Sequence, residues 1–384
     1  MGHRRLTILL GAAFAMQTRI AMGQMQGNDW QAVAARIVER MALTSGERVF
    51  LLAEPGLADS LIEPLRARVR AAGGIDLGAV AVRGVAPAAW QTDWTRRLAS
   101  LNGAALDAEL RTTDLGVMLP GPVPADTVYA AMQNVLRNGH GRTIHFHWAG
   151  AYAMDGTLLP MTPARSRHYQ EVLLGTDYAR LGRAQEALER AMRGASVRVT
   201  TPAGTDLSFR IGDRQVTKQD GDASLARTRS ARVLIDREIE LPAGAIRVAP
   251  VEESVNGKIA FPASDWGGER VEGLVMTFAN GRLTGFVATR GRAGVEKELT
   301  QGGDPARAFR EFALGLNPLL AILPSGERWI PYYGYGAGVV RLSLGDNTEL
   351  GGKVGGGYLR WNFFSDATVR IGDDVWVRGG RLEK

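Results

Sequence analysis

Apolar residues recur at helical spacing from Trp30 through Val33, Ala34, Ile37 and Val38 to Met41. This spacing predicts an amphipathic helix with Asn28 or Asp29 as its N-cap. Ser45 and Gly46 break the helix, and residues 48–53 (RVFLLA) read as a short apolar strand. A second helix is expected over 56–72, ended by Gly73 and Gly74, with 77–82 strand-like again. Residues 114–119 (DLGVML) and 143–148 (TIHFHW) read as further strands, with a helix near 125–137 between them. Strands that alternate with helices imply a parallel sheet with helical cover.

The pattern continues through a helix over 175–193, with Tyr178, Leu181, Ala184, Leu188 and Ala191 on one face, expected to bridge two halves. Beyond Ala195 it changes to short strands and glycine-rich turns. Strands at 197–200 and 207–211 flank Pro202, Ala203, Gly204 and Thr205. Segments 271–278 and 283–288 flank Asn280 and Gly281, a pair that favours a type I′ hairpin because both residues tolerate positive φ. The expected architecture is therefore an α/β N-terminal domain over 28–194. A mainly antiparallel β (α+β) domain follows over 195–384.

Composition refines this only in places. With 384 residues, 45% apolar and 22% charged, the chain is globular and long enough for two domains. The net charge of +6 comes without a basic helix face, a basic aromatic sheet or a Cys/His finger, so nucleic acid is not an expected partner. There is no cysteine, which excludes disulfides, thiolate catalysis and Cys-ligated metals. His3, Arg4 and Arg5 precede an apolar run over 6–16, and small or polar residues follow up to Gly23 and Gln24. Residues 1–23 thus read as an export signal, cleaved after Ala15 or Gly23, and imply a periplasmic or secreted protein. A buried N-terminal helix is the alternative. The run is about half the length of a bilayer span, so no stable membrane span is expected.

Candidate chemistry lies in five short blocks of the second half: Thr205-Asp206-Leu207, 241–254 (LPAGAIRVAPVEES), 310–317 (REFALGLN), 338–345 (GVVRLSLG) and 359–362 (LRWN). In this order they resemble the aminopeptidase T and aminopeptidase S family of metallopeptidases. The weaker similarity upstream extends to about Asp29. The 2,5-dihydroxypyridine dioxygenases are a related branch. The resemblance implies an aminopeptidase T-like fold, a homodimer with sites facing an internal cavity, and two divalent metals held by Glu, Glu, His, His and Asp. Those ligand places correspond here to Ala245, Glu311, Arg341, Arg360 and Asn362. The dioxygenases' single iron, held by two histidines and an aspartate, meets the same substitution, since their His-x-Asp pair corresponds to Arg360-Trp361-Asn362. Alanine offers no donor atom, and guanidinium has no free lone pair at neutral pH.

The expectation is therefore a site without metal or other cofactor, in which Glu311, Arg341, Arg360 and Asn362 occupy the catalytic places. Arg247, Tyr333 and Tyr335 would contact substrate. Two readings stay open: a structural Glu–Arg cluster, or a cleft in which arginines clamp a small anionic molecule or peptide while Glu311 serves as acceptor or general base. Catalysis, if present, would be metal-independent hydrolysis of a small peptide or amide. The alternatives are a metallo-hydrolase with divalent metal on relocated ligands, and a non-catalytic structural pseudoenzyme. His145 and His147 alternate along a predicted strand and so share a face. With His140 and His168 they form a second, lesser metal candidate. Glu252 and Glu253 are expected to order local backbone.

Overall fold

The structure, a computed structural model, describes residues 27–323 and 326–384. The expected export signal over 1–23, with its apolar run 6–16, lies outside the described residues. No helix among the described residues is long and apolar enough to cross a membrane. The chain forms two compact units. Among the described residues, unit 1 comprises 27–149, 160–175 and 221–242, and unit 2 comprises 150–159, 176–220, 243–323 and 326–384.

In unit 1 the expected first helix is α1 (Trp30–Met41), where Asp29 caps by accepting from the Ala32 N–H at 3.0 Å. Its buried face is Val33, Ala34, Ile37, Val38 and Met41, the positions that the apolar spacing predicts. Strand β1 (Arg48–Ala53), helix α2 (Asp59–Ala71), strands β2 (Ile75–Ala81) and β3 (Leu115–Met118), helix α3 (Thr127–Arg137) and strand β4 (Arg142–His145) follow. A fifth strand, β5 (Glu238–Glu240), comes from far down the chain. All pairings are parallel, in the order β2-β1-β3-β4-β5. Parallel strands need a crossover between them, and the segments around α2 and α3 supply it. Phe50, Leu52, Leu77, Trp94, Met132 and Val135 pack in the resulting core.

Unit 2 contains α4 (Tyr178–Arg193), the helix expected to bridge the halves. The rest is largely antiparallel. An eight-stranded sheet runs from Arg282–Val287 at one edge to Arg381–Leu382 at the other. Its hairpin Val275–Ala279 to Arg282–Val287 turns through Asn280 at φ 50° and Gly281 at φ 75°, as the Asn-Gly pair predicts. A five-stranded sheet contains β6 (Ala245–Val248), β7 (Phe309–Gly315), β8 (Val340–Gly345) and β9 (Leu359–Phe364), ordered β9-β8-β7-β6 and completed by Thr217–Lys218. Four of the five resemblance blocks thereby become adjacent strands. The structure thus bears out a mixed α/β fold with one parallel sheet and antiparallel sheets.

The two alternating histidines of unit 1 do meet, with ring centroids 5.0 Å apart. His145 is engaged by Thr143 Oγ1 at 3.0 Å and Tyr129 OH at 3.4 Å. The Nδ1 atom of His147 is buried without a hydrogen-bond partner. Desolvation, then the neighbouring His145, pulls the His147 pKa down to about 4. His147 is therefore neutral in the fold, while the unfolded chain binds its proton below about pH 6.5. Between those two values the unfolded state holds more protons, so stability rises with pH across this window and is complete above it. Acidification from pH 6.5 to 4 is expected to remove on the order of 2–3 kcal/mol through this group. Urea unfolding of the His147→Phe variant should show that slope flattened.

Candidate functional site

Cross-strand register decides which expected site residues can meet. Partners directly opposite in an antiparallel sheet project to the same side, and successive residues alternate. Arg247 lies opposite Ala313, Ala313 opposite Arg341, and Arg341 opposite Phe363. Glu311 lies opposite Ser343, and Ser343 opposite Trp361. Arg247, Glu311, Arg341, Ser343 and Trp361 therefore share one face. Arg360 pairs with Leu344 and Asn362 with Leu342, which places both on the other face. Of the expected set Glu311, Arg341, Arg360 and Asn362, this parity brings Glu311 and Arg341 to one face and separates Arg360 and Asn362 from them, which corrects the expectation of one shared site.

On the first face Glu311 has no solvent exposure. Arg247 donates to it twice, from Nε at 3.2 Å and Nη2 at 3.0 Å, and Arg341 donates from Nε at 3.1 Å and also from Nη2. A third guanidinium arrives through an irregularity. The register shifts between Phe309 and Glu311, so that Arg310 is an extra residue on β7, and a bulge of this kind re-aims a side chain. Arg310 Nε lies 3.4 Å from Glu311 Oε2. Glu349 closes the group, accepting from Arg247 Nη2 at 3.1 Å and from Arg310 Nη2. Arg247, Arg310 and Arg341 are 5%, 3% and 2% exposed. Among the described residues three guanidiniums thus face two carboxylates in this group, which leaves one positive charge in excess.

Burial pushes the Glu311 carboxyl up, but the combined fields of Arg247, Arg341 and Arg310 outweigh it and hold the group far below the usual carboxylate range. Burial likewise works against the Arg247 cation and Glu311 overrides it, raising that pKa. Glu311 is therefore a fixed anion at neutral pH. A general base works best with a pKa near the operating pH, and Glu311 lies far from it. The donor set does not suit a divalent cation either. Ala245 offers no ligand atom, and both oxygens of Glu311 accept from guanidinium. Among the described residues no group of three His, Cys, Asp or Glu side chains could hold a metal ion.

An aromatic wall stands over the same face. The Arg341 guanidinium lies 4.8 Å from the Trp361 ring centre and 5.9 Å from that of Tyr335. Its Nη1 donates to the Tyr333 carbonyl at 3.0 Å. Tyr332 and Tyr333 both adopt positive φ, 35° and 54°, a conformation that non-glycine residues rarely hold and that clusters at functional sites. Close approach brings this segment onto the sheet: a Cβ on Gly244, beside Ala245, would lie 2.6 Å from the Tyr335 carbonyl oxygen. Three polar atoms on this side are buried without a hydrogen-bond partner, namely Arg310 Nε, Ser343 Oγ and Trp361 Nε1.

The opposite face is a structural clamp. Arg360 donates from Nη1 to both oxygens of Glu298, at 2.9 and 3.1 Å, and stacks 3.5 Å over the Trp266 ring. Glu298 belongs to helix α5 (Arg292–Gly302) and also accepts from Tyr358 OH and the Gly267 N–H, each at 2.7 Å. Asn362 accepts from Arg360 Nε and donates to the Leu342 carbonyl. Glu252 does order backbone, accepting from the Lys353 N–H at 2.8 Å. The sequence reading missed Arg310, Ser343 and Glu349. Arg310 stands beside Glu311 in the segment 310–317, but strict alternation would send it to the other face.

Removing the charge of Glu311 should expose the whole arrangement. Glu311→Gln leaves buried guanidiniums uncompensated and is expected to cost about 3–5 kcal/mol in urea unfolding. Combined with Arg360→Lys, on the other face, the effects should add to within about 0.5 kcal/mol. Combined with Arg341→Gln they should fall well short of additive, because the two residues share one ion pair.

No family model matches the chain, and no curated protein matches it. Solved structures do. The 2,5-dihydroxypyridine dioxygenase of Pseudomonas putida is similar at TM-score 0.61 and 15% identity, over 92% of this chain and 96% of that one. AmpT of Thermus thermophilus is similar at TM-score 0.59 and 17% identity, over 92% of this chain and 98% of that one. At such low identity the likeness shows the fold alone: this chain folds like AmpT and the dioxygenase.

Proposed function

We propose that the protein binds a small anion at the arginine cluster of unit 2, without metal. The observation that carries this reading is the charge balance of the buried group: Arg247, Arg310 and Arg341 against Glu311 and Glu349. A buried excess charge is costly until it is paired, so the group favours an anion. Ser343 Oγ and Trp361 Nε1, buried without a hydrogen-bond partner, can both act as hydrogen-bond donors and suit an acceptor-rich ligand. Glu311 then acts as the fixed counter-ion that holds Arg247 and Arg341 in place, and it moves no proton at neutral pH. Binding is therefore the activity that we assign, ahead of metal-independent hydrolysis. The export pattern over 1–23 supports action in the periplasm or outside the cell, and the expected homodimer belongs to the same proposal.

Thermal unfolding at constant ionic strength, with a panel of carboxylates, phosphate and sulfate, tests this reading. At least one anion should raise Tm by about 3 °C or more near a hundredfold excess over Kd. Arg341→Met should abolish that rise. A flat panel would sink the proposal, and so would a stoichiometric divalent ion that survives dialysis and whose removal by chelator lowers Tm.

A further inference from the structure

We infer that the cluster selects a monocarboxylate, with an aromatic body favoured, over a dianion such as sulfate. This rests on the anion-binding reading above and adds to it a ligand class. The first ground is the count of buried charge. Among the described residues, the charged side chains paired around Glu311 are Arg247, Arg310 and Arg341, with Glu349 beside Arg247 and Arg310. They leave one positive charge. A monoanion brings the group to neutrality, whereas a dianion overshoots and leaves a buried negative charge unpaired, which is strongly unfavourable away from water.

The second ground is the kind of donor that stands unpaired. Ser343 is fully buried and lies directly across from both Glu311 and Trp361. Its Oγ and the Trp361 Nε1 have no hydrogen-bond partner. Both are neutral donors. They add hydrogen bonds to a ligand oxygen without adding charge, so they raise affinity for a carboxylate and leave the charge limit in place. The third ground is the wall. Trp361 and Tyr333 meet edge to face at 5.4 Å between ring centres, and Tyr152 packs against Tyr333 at 6.2 Å and against Phe363 at 4.8 Å. Of these rings Tyr152, Tyr333 and Phe363 are buried and Trp361 is partly buried, so Trp361 is the ring that can meet a flat ligand through an offset or T-shaped contact.

Isothermal titration of the purified full chain at pH 7.5 with acetate, benzoate, terephthalate and sulfate tests the inference. Benzoate should bind at least about tenfold more tightly than sulfate or terephthalate, since each dianion leaves a buried charge unpaired. Acetate should fall between benzoate and no binding. Ser343→Ala and Trp361→Phe should each weaken benzoate by about fivefold or more through one lost donor. Glu349→Gln adds one positive charge to the cluster and should reverse the order in favour of sulfate. Sulfate binding as tightly as benzoate to the unaltered protein would overturn the inference while leaving the anion site standing. Absence of binding by all four would remove the anion site itself. The ranking on the unaltered protein decides the matter even where a variant fails to fold.

Discussion

An ionised carboxylate with no solvent exposure cannot survive alone, because desolvation favours its neutral form by several kcal/mol. Glu311 is such a group, and the geometry of the five-stranded sheet answers that constraint. Arg247 reaches it from one neighbouring strand and Arg341 from the other, while the bulge at Arg310 turns a third guanidinium to the same side. Each arginine is itself nearly buried and depends on the carboxylate in turn. The cluster is therefore a mutual arrangement: charge can be buried there only as a set, and the set carries one positive charge more than it neutralises.

That constraint also separates two roles that the linear sequence presents together. Arg341, Arg360 and Asn362 all stand at places where the aminopeptidase T resemblance puts metal ligands. In the fold, β8 and β9 pair so that Arg341 faces Phe363, while Arg360 faces Leu344. One residue of offset moves a side chain to the other side of a sheet. Arg341 thus joins the ion cluster, and Arg360 joins Glu298 and Trp266 in holding α5 against the sheet. The same residue type, at superficially equivalent places, joins a buried ion cluster on one face and packs against an aromatic ring on the other.

What was legible in the sequence was local, and what was not depended on pairing. Helix α1 and its Asp29 cap follow from apolar spacing and one side-chain oxygen. The Asn280–Gly281 hairpin follows from two residues that accept positive φ. Both are decided within a dozen residues. Strand β5 is three residues, Glu-Ile-Glu, with no apolar run to announce it, and its place at the edge of the parallel sheet depends on residues far upstream. The candidate site behaved in the same way. Glu311, Arg247, Arg341 and the tyrosines were identifiable as residues, but their grouping required the register. Arg310 required a bulge, which alternation hides, and Glu349 required a turn brought back onto the sheet.

The central claim is the proposal that the cluster around Glu311, at places where the aminopeptidase T resemblance implies metal ligands, takes up an anion. Anomalous diffraction from crystals of the full chain, soaked separately in bromide and in manganese, tests it directly. Bromide should give a peak in contact with the guanidinium of Arg247, Arg310 or Arg341, and manganese should give none beside Glu311. A manganese peak on Glu311, with no bromide at the arginines, would contradict it.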